Sequence, residues 1–266
     1  MTASDVAEST IERLARKDFL GVPIDCLTLA ETIAAIDQAI QRRQCLQHVC
    51  INVAKFVAMR TNRELEHDVL SSDIISADGM GIVWAARFMG VDVPERVPGI
   101  DLMEGVIALC AAKGYRPYCL GATEDVLKAA SVNMQRRFPG LILAGIQHGY
   151  FKAAEEPEII AAIRNSKADC LFIGMPTPRK EELLARFHDA FGVPFIMGVG
   201  GAFDVFAGRV RRAPQLVQKV GLEWFFRTVQ EPVRLGPRYL TTNAAFVGII
   251  AKALAARLRS KSTSSK

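Results

Sequence analysis

A repeating unit constrains this chain more than any other feature. A short apolar, often β-branched run is followed by a tip of small or polar residues, then by roughly ten to fifteen residues at helical spacing. The unit recurs as the runs Gln47–Asn52, Asp73–Ala77, Arg116–Leu120, Leu141–Gln147, Cys170–Gly174 and Phe195–Val199. Helical stretches at Val53–Thr61, Gly81–Gly90, Ile100–Lys113, Glu124–Arg137, Glu155–Asn165 and Arg179–Ala190 separate them. The spacing predicts an α/β fold, a Rossmann-like and mostly parallel sheet with helices on both faces. Right-handed crossovers then gather every strand-to-helix loop on one edge.

The loops on that edge share a composition. They are Cys50-Ile51-Asn52, Asp78-Gly79, Gly121-Ala122-Thr123, His148-Gly149-Tyr150, Gly174-Met175-Pro176-Thr177-Pro178 and Gly198-Val199-Gly200-Gly201. Small residues with polar tips at strand ends form a ligand crevice, and glycine turns entering helices suit anionic phosphate. Dinucleotide binding fails as an explanation. In the G-x-G-x-x-G pattern Phe203 follows Gly198/Gly200 and Trp84 follows Gly79/Gly81 where a third glycine belongs, and no Walker A sequence occurs. Asp78 stands out because a carboxylate between a strand and a glycine turn is either a helix N-cap or a group presented to a ligand.

At 266 residues, half of them hydrophobic, the chain can bury a large core. No uninterrupted apolar run reaches the roughly 18 residues that span a bilayer, and the acid-bearing N-terminus is not expected to be a signal peptide. Six scattered cysteines without a C-x-x-C pair read as small buried hydrophobes in a reducing compartment. The net charge of +5 hides an asymmetry. Residues 209–266 carry twelve Lys/Arg against two acids, net +10, leaving 21 basic and 26 acidic residues, net −5, in residues 1–208. The expected organisation is therefore a catalytic body over 1–208 and a helical appendage over 209–266. Arginines beside Trp224, Phe225 and Phe226 suit an interfacial membrane helix better than a nucleic-acid surface.

These segments together resemble the WecG/TagA/CpsF glycosyltransferase family of bacteria. The resemblance is carried by Phe19–Asp25, by Ser76-Ala77-Asp78-Gly79-Met80-Gly81 running on to Arg87, and by Glu95-Arg96-Val97-Pro98-Gly99-Ile100-Asp101-Leu102-Met103. It continues in Gly198–Gly208, Arg211-Arg212-Ala213-Pro214 and Gly221-Leu222-Glu223-Trp224 with Gln230-Glu231-Pro232.

The resemblance implies inverting transfer of a sugar from a UDP-sugar to a polyprenyl-diphosphate-linked sugar, at the cytoplasmic face of the membrane. N-acetylmannosamine, its uronic acid and glucose are donors among members. It implies Asp78 as general base, Arg96 on the diphosphate leaving group, Asn52 and Asp204 on the donor, and Tyr150 facing the uracil or sugar. Asp101, Gly121, Lys180, Gly200 and Gly201 join the substrate-binding set. Arg227, Arg234 and Arg238 would meet anionic lipid or the acceptor diphosphate.

Plainer roles compete: helix capping for Asn52 and Asp204, a surface ion pair for Arg96, packing for Tyr150. No D-x-D sequence occurs and His148 lacks partners at ligand spacing, so no metal or cofactor is expected. Neither is a nucleic-acid partner, while homo-oligomerisation stays open. Two departures from the family pattern bear on donor choice. Cys50 stands where a threonine is common, and Lys180 where an amide is. A membrane-associated adaptor that binds a nucleotide-sugar without turnover is the competing function.

Overall fold

A computed structural model describes residues 16–219, 221–230 and 232–263. The polar stretch 1–17 reads in sequence as a peripheral helix, and most of it lies outside the described residues. Its last two residues open a strand instead, because Arg16–Phe19 (β1) pairs antiparallel with Val22–Asp25 (β2). Leu20 and Gly21 both take positive φ in the two-residue turn, as a tight hairpin of matching twist requires. Arg16 clasps both oxygens of Asp25 at 2.8 and 2.7 Å, and Asp25 Oδ2 accepts the backbone N–H of Ile75 at 2.7 Å. The hairpin is thereby tied to the main sheet.

That sheet has six strands: β3 (Leu46–Ile51), β4 (Ile74–Ala77), β5 (Pro117–Gly121), β6 (Gly145–Gln147), β7 (Cys170–Gly174) and β8 (Phe195–Gly198). All neighbours are parallel, in the order β4-β3-β8-β7-β5-β6. Every residue of β3 is buried, as expected for an inner strand covered on both faces. The even-numbered β3 residues Leu46 and Cys50 belong to a core with helices α1 (Leu29–Gln41), α5 (Gly99–Lys113), α6 (Glu124–Arg137) and α9 (Ala202–Phe206). Val49 and Ile51 face the other side, where α2 (Val53–Ala58), α3 (Arg63–Leu70) and α4 (Met80–Phe88) cover the sheet. Further along that side lie α7 (Glu156–Asn165) and α8 (Arg179–Phe187).

Hairpin, α1 and α3 lie outside the repeating unit. Predicted boundaries shift by up to four residues. The Leu141–Gln147 strand shrinks to Gly145–Gln147, because β6 is an edge strand meeting β5 only across Tyr118–Leu120, while Leu141 turns into the core. The Arg179–Ala190 helix stops at Phe187 and tightens to a 3₁₀ turn at Asp189–Phe191 before Gly192 at φ +63°.

Beyond Gly208 come α10 (Gln215–Lys219), α11 (Glu223–Gln230) and α12 (Pro232–Thr263). Helix α12 returns onto the body. Phe246 is buried edge-on against Phe56 at 5.5 Å between ring centroids, and Ile249, Ile250, Ala253 and Leu254 pack on the same core. Its segment Tyr239–Arg257 is long and apolar enough to cross a membrane by length and composition. A search for uninterrupted apolar residues passes over it because Asn243 and Lys252 break the run. Its outer face shows Leu240 and Val247 at 76% and 65% exposure.

Candidate active site

The loops of the parallel sheet converge on its carboxyl edge, and the loops after β3 and β4 carry the central pair. At the end of β3, Asn52 is the N-cap of α2, its side-chain oxygen accepting the Lys55 backbone N–H at 3.0 Å. That is the plainer of its two roles, and it leaves the amide NH₂ free to donate to Asp78 on the neighbouring loop. Asp78 does not cap α4. The N-cap is Gly79 and no side chain closes that helix end. The backbone N–H of Asp78 bonds to Ile51 O at 2.9 Å, which holds the loop in register with β3. A carboxylate that could have served its own helix is thus left without that role at the carboxyl edge of the sheet.

Burial is the largest influence on Asp78 and pushes its pKa above the ordinary carboxylate value. The charge of Arg96 and the Asn52 hydrogen bond work against that rise, and Glu223 adds to it. Lys55, in the first turn of α2, is pushed down, first by burial and then by Lys180. A carboxyl raised in this way is a stronger base toward a hydroxyl.

Arg96 is no surface ion pair. Its side chain is 14% exposed and donates to Glu223 Oε2 at 2.8 Å, across 127 positions of sequence. Glu223 Oε1 lies 3.8 Å from Arg212 Nε, too far for a hydrogen bond, and Arg212 in turn pairs with Asp101. Arg212 therefore keeps Nε and Nη2 buried without hydrogen-bond partners. Three of these charged residues, Arg96, Asp101 and Arg212, stand on the wall of a 1180 Å³ cavity that Met80, Phe206 and Arg137 also line. Asp78 is not a wall residue of that cavity. Its loop reaches the cavity through Met80.

The C-terminal segment closes onto this loop at Gly221, which has φ +74°. A Cβ there would sit 2.8 Å from the Cβ of Met80 and 3.0 Å from the Trp84 ring. Only glycine allows the chain to pass so close to the start of α4.

The remaining predicted residues distribute unevenly. Gly121, at φ +133°, brings its loop so close to β7 that a Cβ would lie 2.4 Å from Gly174 O. Gly200 and Gly201 are exposed in the tip after β8, Gly200 at φ +51°. Asp204 sits in the first turn of α9 behind the N-cap Gly201, and its side chain makes no cap bond. Tyr150 is 73% exposed, so packing does not explain it. Its N–H donates to His148 Nδ1 at 3.2 Å. Lys180 is drawn away from solvent into a buried cluster, with Nζ 2.7 Å from Asp68 Oδ2 and 3.2 Å from Glu181 Oε1. The side chains of Arg227, Arg234 and Arg238, on α11 and α12, lie outside the described residues.

Glu223 and Arg212 are the residues that reading the sequence left without a role. Both stand inside segments that carry the family resemblance, Arg211-Arg212-Ala213-Pro214 and Gly221-Leu222-Glu223-Trp224. Nothing in the linear order pairs them with Arg96 and Asp101.

Known proteins resemble this chain along most of its length. The profile of the Glycosyl transferase WecG/TagA/CpsF family matches residues 17–261. Similar curated proteins include the N-acetylglucosaminyldiphosphoundecaprenol N-acetyl-beta-D-mannosaminyltransferases of Staphylococcus aureus strains MW2 and NCTC 8325. Each is 31% identical over 225 residues, covering 84% of this chain and 87% of the relative. A parallel α/β sheet, a carboxylate presented uncapped at its carboxyl edge and a match along nearly the whole length lead to one assignment: the chain belongs to the WecG/TagA/CpsF family and is a glycosyltransferase.

Proposed function

We propose that the protein transfers a sugar from a UDP-sugar, of the N-acetylmannosamine, N-acetylmannosaminuronate or glucose type, to a polyprenyl-diphosphate-linked sugar during cell-surface polysaccharide synthesis. Inversion at the anomeric carbon fits a single carboxylate base. The acceptor hydroxyl attacks that carbon, its proton passes to Asp78, the bond to the donor phosphate breaks, and UDP departs. Asn52 orients Asp78. Arg96 lies within a charged network where it can exchange Glu223 for the diphosphate, since guanidinium pairs with phosphate bidentately. The glycine tips at Gly121, Gly200 and Gly201 allow phosphate to approach the backbone, while Asp101, Tyr150 and Asp204 stand on the same edge. Lys180, held by Asp68 and Glu181, supports the site from behind.

The observation that carries this reading is Asp78, uncapped at the end of β4, with a raised pKa and Asn52 and Arg96 acting on it. The relatives' name places their acceptor on undecaprenyl diphosphate, and the two departures at Cys50 and Lys180 bear on which donor this chain takes. Residues 209–266 would act as an appendage bringing the crevice to the cytoplasmic face of the membrane. Because one face of α12 is occupied by the body at Phe246, that helix is read as lying along the membrane surface rather than crossing it.

The test is UDP release from a panel of UDP-sugars, with and without a polyprenyl-diphosphate-sugar. Release from one donor that depends on the lipid acceptor supports the assignment. Donor binding without release across all acceptors overturns it in favour of the adaptor.

A further inference from the structure

At the amino end of β3, away from the strand-end loops, a second group of reactive side chains meets. Cys45 is exposed, and its Sγ lies 3.6 Å from His188 Nε2. The other ring nitrogen, Nδ1, is 2.9 Å from Asp189 Oδ1. Asp189 thus fixes the ring so that Nδ1 carries a proton and Nε2 is turned to the sulfur. The order thiol, imidazole, carboxylate is the arrangement that activates a sulfur nucleophile. Cys45 and His188 both line a cavity of 880 Å³ between α3 and α8. Among the described residues no three His, Cys, Asp or Glu side chains are grouped to hold a metal ion. The other cysteines are buried, apart from half-buried Cys26.

The cavity wall has a charge bias. From α3 come Arg63, Glu64 and His67, from the approach to β4 comes Asp73, and from α8 come Glu182 and Arg186. Arg186 is already answered by Glu156 at 2.7 Å. Asp68 and Glu181 also line the cavity and share a single ammonium, that of Lys180, and Glu181 Oε2 is buried without a hydrogen-bond partner. Acids outweigh bases on this wall, so a cationic ligand is preferred over an anionic one.

We infer that Cys45 is a thiol–disulfide exchange site, activated by His188 and Asp189, for a small amine-bearing disulfide. The thiol proton moves to His188 Nε2. The thiolate attacks one sulfur of the disulfide, a new S–S bond to Cys45 forms and the old one breaks. The departing thiolate takes the proton back from His188 and leaves as a thiol. Separately, the imidazole pKa is raised to about 9, first by the Cys45 contact and then by Asp189, so that the ring holds the proton it takes from the thiol. None of these residues belongs to the Asp78 site, so the inference stands apart from the transferase reading.

The experiment treats the full-length protein with cystamine, quenches at intervals and maps adducts by peptide mass spectrometry. It is run beside 3,3′-dithiodipropionate, an anionic disulfide of similar size. Cys45 should be modified at least roughly tenfold faster than Cys26, and faster by cystamine than by the dicarboxylate. His188→Asn should slow Cys45 roughly tenfold. At pH 7, alkylation of Cys45 by iodoacetamide should outpace that of Cys26 in the wild-type protein and slow in Asp189→Asn. Equal rates at Cys45 and Cys26, or no response to His188→Asn and Asp189→Asn, overturns the site. Equal reaction with the two disulfides overturns the amine preference.

Discussion

Two charged networks in this molecule are built from the same residue types and differ in closure. In the first, Lys180 binds Asp68 and Glu181, the far oxygen of Asp68 accepts Gln47 Nε2 at 2.8 Å, and Gln47 also reaches Ser72 at 3.1 Å. Its ion-paired side chains are 8% exposed or less. In the second, Arg96, Glu223, Arg212 and Asp101 are between 14% and 27% exposed, one link stretches to 3.8 Å, and two guanidinium nitrogens have no acceptor. Buried charge persists only where it is paired, so the first network, with Glu181 Oε2 its one unpartnered atom, is committed to holding α3, α8 and β3 together. The second has donors to spare on the wall of a cavity, which leaves it able to change partners. It also joins the body to the C-terminal helices, so the same contacts that shape the cavity hold that segment in place.

The largest effect expected from breaking this contrast lies beside the open network. Asp78→Asn should reduce turnover by roughly 10²–10⁴-fold, the usual worth of a positioned general base. Its thermal midpoint should stay near that of wild type, since no helix cap is lost. Wild-type turnover at saturating substrate would remove Asp78 from the chemistry.

In the closed network, Lys180→Met should cost about 3–5 kcal/mol, because Asp68 and Glu181 are left as uncompensated buried charge. Denaturant titration reads this. A loss of less than about 1 kcal/mol, the range of an exposed pair, would show that the network is not closed.

His48 offers a smaller effect in the core. Its ring is buried, with Nε2 2.9 Å from Ser76 Oγ and Nδ1 unpartnered, and burial lowers its pKa to about 3. An unfolded histidine takes up a proton near pH 6.5 while the folded one does not. Stability should therefore be intact above about 6.5 and fall as the pH drops toward 3, with a slope approaching 1.4 kcal/mol per pH unit. His48→Gln should flatten that slope in urea titrations between pH 6.5 and 4.

The mildest change is Glu223→Gln. It removes a negative charge that raises the Asp78 pKa and releases Arg96, which lowers it. Both shifts have one sign, so the acid limb of the rate profile should move to lower pH, while the retained amide oxygen can still accept from Arg96 and stability should fall less than in Lys180→Met. A shift to higher pH would contradict the geometry of the open network.

Much of the body was legible because its signals are local. Strand runs ending in glycine or polar tips predicted β3 to β8 and the helices between them, and Glu124–Arg137 and Cys170–Gly174 match residue for residue. Helices α1 and α3 escaped because they follow no strand-and-tip unit, although Thr28 and Asn62 cap them both. The strand-and-turn pattern singled out Asp78 and the resemblance implied its role as base, yet its freedom from capping depends on Gly79 taking that place. Lys180 read as a crevice residue, and only the fold reveals Asp68 waiting 112 positions away.

The sequence alone determined the parallel α/β sheet, the edge on which its loops gather and the carboxylate at the end of β4. These follow from periodicity and turn chemistry within a few residues. Tertiary structure decided which charges meet: Arg96 with Glu223, Lys180 with Asp68, Cys45 with His188. Such pairings depend on how distant elements are brought together around one core. Side-chain identities carry no record of that distance, and the free energy of an ion pair is set by burial and geometry rather than by order along the chain.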